Sequence, residues 1–493
     1  MLLRLPNYRG RFFRKHNNLV YTNLVVFCFC CKLSSFAIQL HGRLTKEELN
    51  RYFGMRIHSI ELMSLKKPIE LGFKYPNYVR ELVVTTLVSP RVFSTMCQIF
   101  TEVQALRVVS TFKSDTTFDP SNRDASIRSL QVLRKLKEVD ITIHGFGTRG
   151  LWACETFNAI IGGSIIFPHL TIVNINMMMH HEEMESFFQF LIRHQKSLKC
   201  VTARIGCMVT SVLGAWPDVN VKFSQAEWFD ELKGLRLQSL HIFRAHTCGK
   251  CDIDDVWSAI LQNQSALVKL TADYRDVGIT EFFDILRKNP KLRSCNVYRL
   301  TCNFHIESPV VDSRYRYLEE LTLDFVSNVV LLCNYLGIHQ VYVDFLDFKN
   351  LPSTLRKLSI RGYTLPQSQF VAALKDLKYV EELNLGDCLF SDKASRFSSF
   401  KQVCHVLGSE ACGVRRLMFD SFDDNAFDND KDPKIWESIQ KCAKNLGILH
   451  ECFDINADQQ PICDFRFTKE KMRQFADFVE GVVSGDGVCS VST

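Results

Sequence analysis

Apolar residues recur along this chain in one fixed spacing. An aliphatic residue is followed three positions later by a second, and two positions after that by a third, as in Val380, Leu383 and Leu385. The spacing returns at Ile57, Ile60 and Leu62, at Val79, Leu82 and Val84, at Val103, Leu106 and Val108, and at Leu136, Val139 and Ile141. It continues through Leu170, Val173 and Ile175, then Leu237, Leu240 and Ile242, then Leu292, Cys295 and Val297. Leu318, Leu321 and Leu323 carry it next, followed by Leu355, Leu358 and Ile360 and by Val414, Leu417 and Phe419. Weaker copies start at Leu198, Leu267, Ile338 and Leu449. That is about fifteen units at intervals of about 17 to about 39 residues, the period of a stacked repeat array. On a strand, positions four and six of such a unit share one face and position five the other. One strand cannot bury that face alone, but stacked neighbours can, as a parallel sheet with a continuous core. Parallel neighbours need crossovers, and the intervals supply them. Ile279, Phe282, Phe283 and Leu286 share a helical face, as do Val256, Ile260 and Leu261, and Met184, Phe187, Phe188 and Leu191. Pro168, Pro290 and Pro352 stand just before strands, where a helix has ended.

The spacing resembles that of the leucine-rich-repeat family, from about residue 50 to about residue 460. The resemblance implies an α/β solenoid: a horseshoe with its parallel sheet on the concave side and helices on the convex side. Cys388 stands at the ninth position of its unit, and GITEFFDIL at 278–286 resembles the helix segment of cysteine-containing repeats. That subclass is typical of F-box and leucine-rich-repeat proteins. Most units here lack Asn or Cys at position nine, so the array is degenerate.

The ends are read separately. Residues 1–45 admit two readings. Leu5 and Pro6, with Cys31 and Lys32 near the close, resemble a short, degenerate F-box, a helical segment that by resemblance docks on a Skp-family adaptor and its cullin complex. The same stretch has a basic start, an apolar run and small residues at Ser35 and Ala37, which fit a secretory signal or anchor. Residues 46–460 are assigned to the repeats. In 461–493, Met472, Phe475, Ala476 and Val479 share a helical face after Thr468, which suits a capping helix, and a loose tail follows.

Composition narrows the chemistry. A formal charge of +6 over 493 residues makes no case for nucleic acid by itself. The 19 cysteines are scattered and odd in number, which favours buried thiols in a reducing cytoplasm or nucleus over a disulfide framework. Cys248 and Cys251 form a lone Cys-x-x-Cys, His181 lacks a second His four residues on and reads as the end of a loop, and Asp428, Asp430 and Asp432 lack the Gly and Glu of a calcium loop. No phosphate loop or nucleophile elbow is present, so no enzyme, metal or cofactor is expected. What remains is a surface. Outward strand positions carry Asp273, Asn296, Tyr298, Glu320, Asp324, Lys357, Arg361, Glu382 and Arg416, and Tyr and Arg are frequent interface anchors. The expectation is a non-catalytic interaction protein. Its resemblance implies a substrate receptor of an SCF-type ubiquitin ligase; the alternatives are an intracellular scaffold or a secreted or membrane-anchored receptor.

Overall fold

The structure is a computed structural model. It describes residues 36–40, 57–62, 75–85, 90–110, 130–143, 160–163, 165–179, 181–207, 222–244, 252–301, 311–325, 348–361, 364–365, 367–385, 389–390, 396–420, 433–453 and 462–484. The chain divides into two compact units: residues 1–144 with 148–169, and 145–147 with 170–493. Leu5, Pro6, Cys31, Lys32, Cys248, Cys251, Ile338, Cys388 and the Asp428–Asp432 stretch lie outside the described residues.

In the first unit, strands β1 (Phe36–Leu40), β2 (Ile57–Leu62), β3 (Glu81–Thr85), β4 (Ala105–Ser110) and β5 (Glu138–Ile143) pair in chain order, all parallel. Helix α1 (Pro90–Ile99) crosses between β3 and β4. The repeat spacing sets the register: Leu82 lies opposite Leu106 and Leu106 opposite Val139, while Val84, Val108 and Ile141 align likewise. All six are fully buried, as are Val103 and Leu136 at position one. Each such side chain contributes about 1.5–3 kcal/mol by leaving water. Strand β1 falls inside residues 1–45, the stretch for which the F-box resemblance implied a helical segment. Phe36, Ile38 and Leu40 alternate with Ala37 and Gln39, and a period of two builds a strand.

The second unit repeats the plan. Strands β6 (Ile172–Met179), β7 (Cys200–Cys207), β8 (Ser239–Arg244), β9 (Lys269–Asp273), β11 (Ser294–Thr301), β12 (Glu320–Phe325), β13 (Lys357–Arg361), β15 (Glu382–Asn384) and β17 (Arg416–Asp420) form successive parallel pairs. Short β10 (Val277–Gly278) pairs with the end of β11, and β14 (Thr364–Leu365) with β16 (Leu389–Phe390). Helices α2 (His181–Arg193), α4 (Ile253–Gln262) and α5 (Ile279–Lys288) return the chain, each with its predicted apolar face buried. His181 is the first residue of α2 and Met177 belongs to β6, so the loop expected over 177–181 is absent: the outward–inward alternation runs on to Met179. Between β7 and β8 the described residues hold a short 3-10 turn, Phe223–Gln225, and a single α-helical turn, α3 (Phe229–Leu232). There Phe188, Phe223, Trp228 and Trp257 pack ring on ring and fill the layer. Both units are α/β repeat arrays, with in-register parallel strands and helices that return the chain.

Two devices hold repeat to repeat. The carbonyl at position two accepts both the second and third N–H of the next unit: Arg293 O takes Glu319 N at 2.7 Å and Glu320 N at 2.9 Å, and Lys199, Gln238, Val268, Glu319, Arg356 and Glu381 do the same. Buried side-chain amides supply the second device. Asn289, just past α5, accepts from Leu267 N at 3.0 Å and donates to the carbonyls of Ile285 and Gln264. Gln264, just past α4, accepts from Leu237 N at 2.9 Å and donates to Leu235 and Ile260. These amides span adjacent units and satisfy backbone groups that helix ends leave open.

The C-terminal end departs from the expected plan. Helix α6 (Gln367–Leu374), α7 (Arg396–Gly408) and α8 (Pro433–Asn445) follow one another along the second unit. Strand β18 (Leu449–Phe453), the last copy of the repeat, does not pair with β17. A further strand, β19 (Ile462–Arg466), lies between them, antiparallel to both. Phe467 N then takes the Arg415 carbonyl that a next repeat otherwise uses, at 3.0 Å. Helix α9 (Lys469–Ser484) follows, capped by Thr468 Oγ1 accepting from Lys471 N at 3.3 Å. Its Met472, Phe475, Ala476 and Val479 are buried, and it packs against α7 and α8. Gly447 turns the chain between α8 and β18 at φ +63, a region glycine enters without strain.

Candidate functional site

The face of the second sheet opposite its buried aliphatic rows is a grid of polar side chains, aligned by the strand register. One row runs Lys269, Ser294, Glu320, Lys357, Glu382, Arg416. The next runs Thr271, Asn296, Thr322, Ser359, Asn384, Met418. Adjacent positions stand about 4.8 Å apart, the strand spacing.

Charges in the first row are matched to one another. Lys357 Nζ is 3.2 Å from a Glu320 oxygen, and Ser294 Oγ donates to Glu320 at 2.9 Å. Burial alone raises the Glu320 carboxyl, but these two hydrogen bonds and the lysine charge outweigh it and hold the group below its ordinary value. Arg416 reaches Glu382 at 3.2 Å and grips Asp464 of β19 with two bonds, 2.9 and 3.0 Å long. Arg466 bonds the same carboxylate. Asp464 is nearly sealed from solvent; its burial pulls the carboxyl up, the two guanidinium groups pull harder, and it lies below the usual range.

Tyr298 continues the outward alternation of β11 just before an irregularity. Pairing between β11 and β12 shifts register between Val297 and Leu300. Arg299 sits there at φ 61, and its guanidinium is held by Asp276 at 2.7 Å. A bulge of this kind re-aims the side chains beside it. Burial raises the Tyr298 hydroxyl first, and the carboxylates of Asp324 and Asp273 raise it further, so all three groups share one neighbourhood. Arg361 lies 4.0 Å from Asp324.

Between these rows opens a depression of about 260 Å³. Asn296, Tyr298, Glu320, Lys357, Arg361 and Glu382 line it, all of them residues the sequence marked. Asp324 and Arg416 stand on strands that line it and Asp273 on neighbouring β9, all three outside its lining. Thr322, Ser359, Asn384 and Met418 also line it, and sequence reasoning passed over them. They occupy position five of their units, which the spacing alone turns outward. Further along the second row, His241 is bonded through one ring nitrogen to Ser239 Oγ at 2.7 Å and through the other to Thr271 Oγ1 at 2.8 Å. Burial, then the Lys269 charge, keeps its ring neutral to lower pH than usual.

This surface offers hydroxyl and amide donors and acceptors on a rigid spacing, with its charges already compensated. Among the described residues no cluster of three or more His, Cys, Asp or Glu could hold a metal. Cys97, Cys200, Cys295, Cys404, Cys412 and Cys442 are free thiols, and burial pushes Cys295 up to about 12 and Cys442 to about 11, away from a reactive thiolate. No described helix is long and apolar enough to cross a membrane.

No protein-family model matches the sequence, and no curated protein matches it. Among solved structures, one similar chain is that of the crystal structure of a TLR13–ssRNA13 complex. Identity is 14% and the TM-score 0.34, over 74% of this chain and 56% of that one. The match thus spans little more than half the length of that protein.

Proposed function

We propose that this protein is a non-catalytic recognition module that holds another protein on the exposed sheet face of its second unit. The observation that carries the reading is the depression on that face, built from aligned polar rows on consecutive strands. Rigid strands carry every lining residue, so a partner meets a surface that needs no ordering on contact. A photo-crosslinking residue at Ser359, with mass spectrometry of the products from cells, tests it. A discrete protein partner, lost when Thr322→Arg fills the depression, is expected; the same products from a crosslinker on the helix side overturn the reading.

The finer reading is a substrate receptor of an SCF-type ubiquitin ligase, acting in the cytoplasm or nucleus. Its support is the F-box-like resemblance of residues 1–45 together with the repeat subclass. The N-terminal segment would dock on the Skp-family adaptor and its cullin complex, and the sheet face would hold the substrate near a ubiquitin-carrying enzyme, so that catalysis is proximity alone. Co-purification of the adaptor with the full chain, abolished by deleting residues 1–45, is the expected result. A chain that never captures the adaptor, or that begins near residue 38 after processing, removes the ligase reading and leaves the sheet-face proposal standing.

A further inference from the structure

The turns that lead into the strands of the second unit form an edge separate from the exposed sheet face. Consecutive turns are locked side by side by the position-two carbonyls: Glu319 N on Arg293 O, Arg356 N on Glu319 O, Glu381 N on Arg356 O. Within 291–293, 312–319, 349–356 and 375–381, eight lysines and arginines stand against four carboxylates. Three of those carboxylates already sit beside arginines of the same edge: Asp312 with Arg314 at 2.9 Å, Glu319 with Arg293 at 3.6 Å and Glu381 with Arg356 at 3.6 Å. The positive surplus therefore falls on Lys291, Arg316, Lys349, Lys375 and Lys378, every one exposed.

Aromatic rings stand among these cations. Tyr317 and Tyr379 are 44% and 52% exposed, and each occupies the residue just before position one of its repeat. One strand, β13, separates their units, which puts the two turns about 10 Å apart. Arg316 lies over Tyr317 at 5.6 Å, and Arg356 donates to the Tyr379 carbonyl at 3.1 Å. Helix ends attract cations, and Lys288, donating to the Gln262 carbonyl at 2.9 Å, is of that structural kind.

We propose that this turn edge is a second docking face, and that its occupant is an extended acidic segment of a partner protein, laid across the turns with apolar or aromatic side chains against Tyr317 and Tyr379. Charge complementarity selects an acidic occupant. The carboxylates of Glu319 and Glu381 select protein over nucleic acid: an evenly charged phosphodiester chain meets them wherever it crosses, whereas a peptide sets neutral residues there. The two tyrosines anchor the segment.

The test uses the full chain and three labelled probes: a peptide of about a dozen residues rich in Asp and Glu with two Phe, its Lys-substituted counterpart, and single-stranded RNA of similar length. Fluorescence anisotropy is expected to show binding of the acidic peptide alone, weakening as salt screens the edge. Arg316→Glu with Lys378→Glu is expected to weaken it about tenfold or more, as the loss of two desolvated charges implies. Tyr317→Ala with Tyr379→Ala is expected to do the same at unchanged circular dichroism, whereas Thr322→Arg on the sheet face leaves it intact, which separates this edge from the sheet-face reading. Absent peptide binding, binding unaffected by both double variants, or tighter binding of RNA overturns the proposal.

Discussion

At the scale of single residues, a few buried polar side chains tie neighbouring repeats together. Asn289 and Gln264 are sealed from solvent and bonded to backbone of two repeats. Asn289→Leu strands the Leu267 N–H and the Gln264 carbonyl, and leaving such groups unsatisfied costs about 1–3 kcal/mol. Urea unfolding should register that loss, while Asn263→Leu, one residue before Gln264 and exposed, should stay within about 0.5 kcal/mol. Asp464 links stability to acidity. Its folded pKa is depressed, so its contribution is whole above the unfolded value of about 4 and is lost as pH falls through the lower folded one. Asp464→Asn should cost about 1–3 kcal/mol at neutral pH, since it leaves two arginines facing an amide, one of them partly solvated. The gap between variant and parent should narrow as melts are taken from neutral pH into acid, through the depressed folded value, and a gap independent of pH would refute the assignment. At Arg299 the left-handed backbone sets the rule. Arg299→Gly should be nearly neutral, because relief of strain offsets the lost Asp276 contact, whereas a β-branched Arg299→Val should lose about 1–2 kcal/mol.

At the scale of elements, the capping helix is the sharpest test. Phe475 is fully buried and packs on Phe465 with ring centroids 5.9 Å apart. Phe475→Ala should cost about 3–5 kcal/mol, read as a fall in the melting temperature. The elements show what a sequence can reveal of this molecule. Positions one, four and six were legible because burial leaves few residue types to choose from, and Leu321, Leu358 and Leu383 obey that rule across three adjacent strands. The outward row of Glu320, Lys357 and Glu382 followed from the same alternation. The depression was only half legible: Ser359 and Thr322 are ordinary polar residues, and nothing local distinguishes a lining residue from a solvated one. Three features were hidden for a different reason. The bulge at Arg299, the amides of Asn289 and Gln264, and the placement of β19 all depend on chain segments far apart in sequence. PICDFRF alternates well enough to predict a strand, yet no local pattern names its neighbours.

At the scale of the whole molecule, each strand of a unit bonds only to the strands beside it, and cooperativity should decay with distance along the array. Leu321→Ala, a fully buried deletion in β12, should speed amide hydrogen exchange in β11, β12 and β13 more than in β6 and β7. Uniform acceleration across the second unit would show that it opens as one body. The C-terminal insertion carries a separate consequence, for the order in which the chain becomes native. Strand β19 (Ile462–Arg466) is synthesised after both β17 and β18, yet it occupies an interior berth between them. On the ribosome, α8 and β18 emerge before the piece that must separate them from β17. They must wait undocked, or settle against β17 and be prised away later, so this end of the second unit closes only once β19 has emerged.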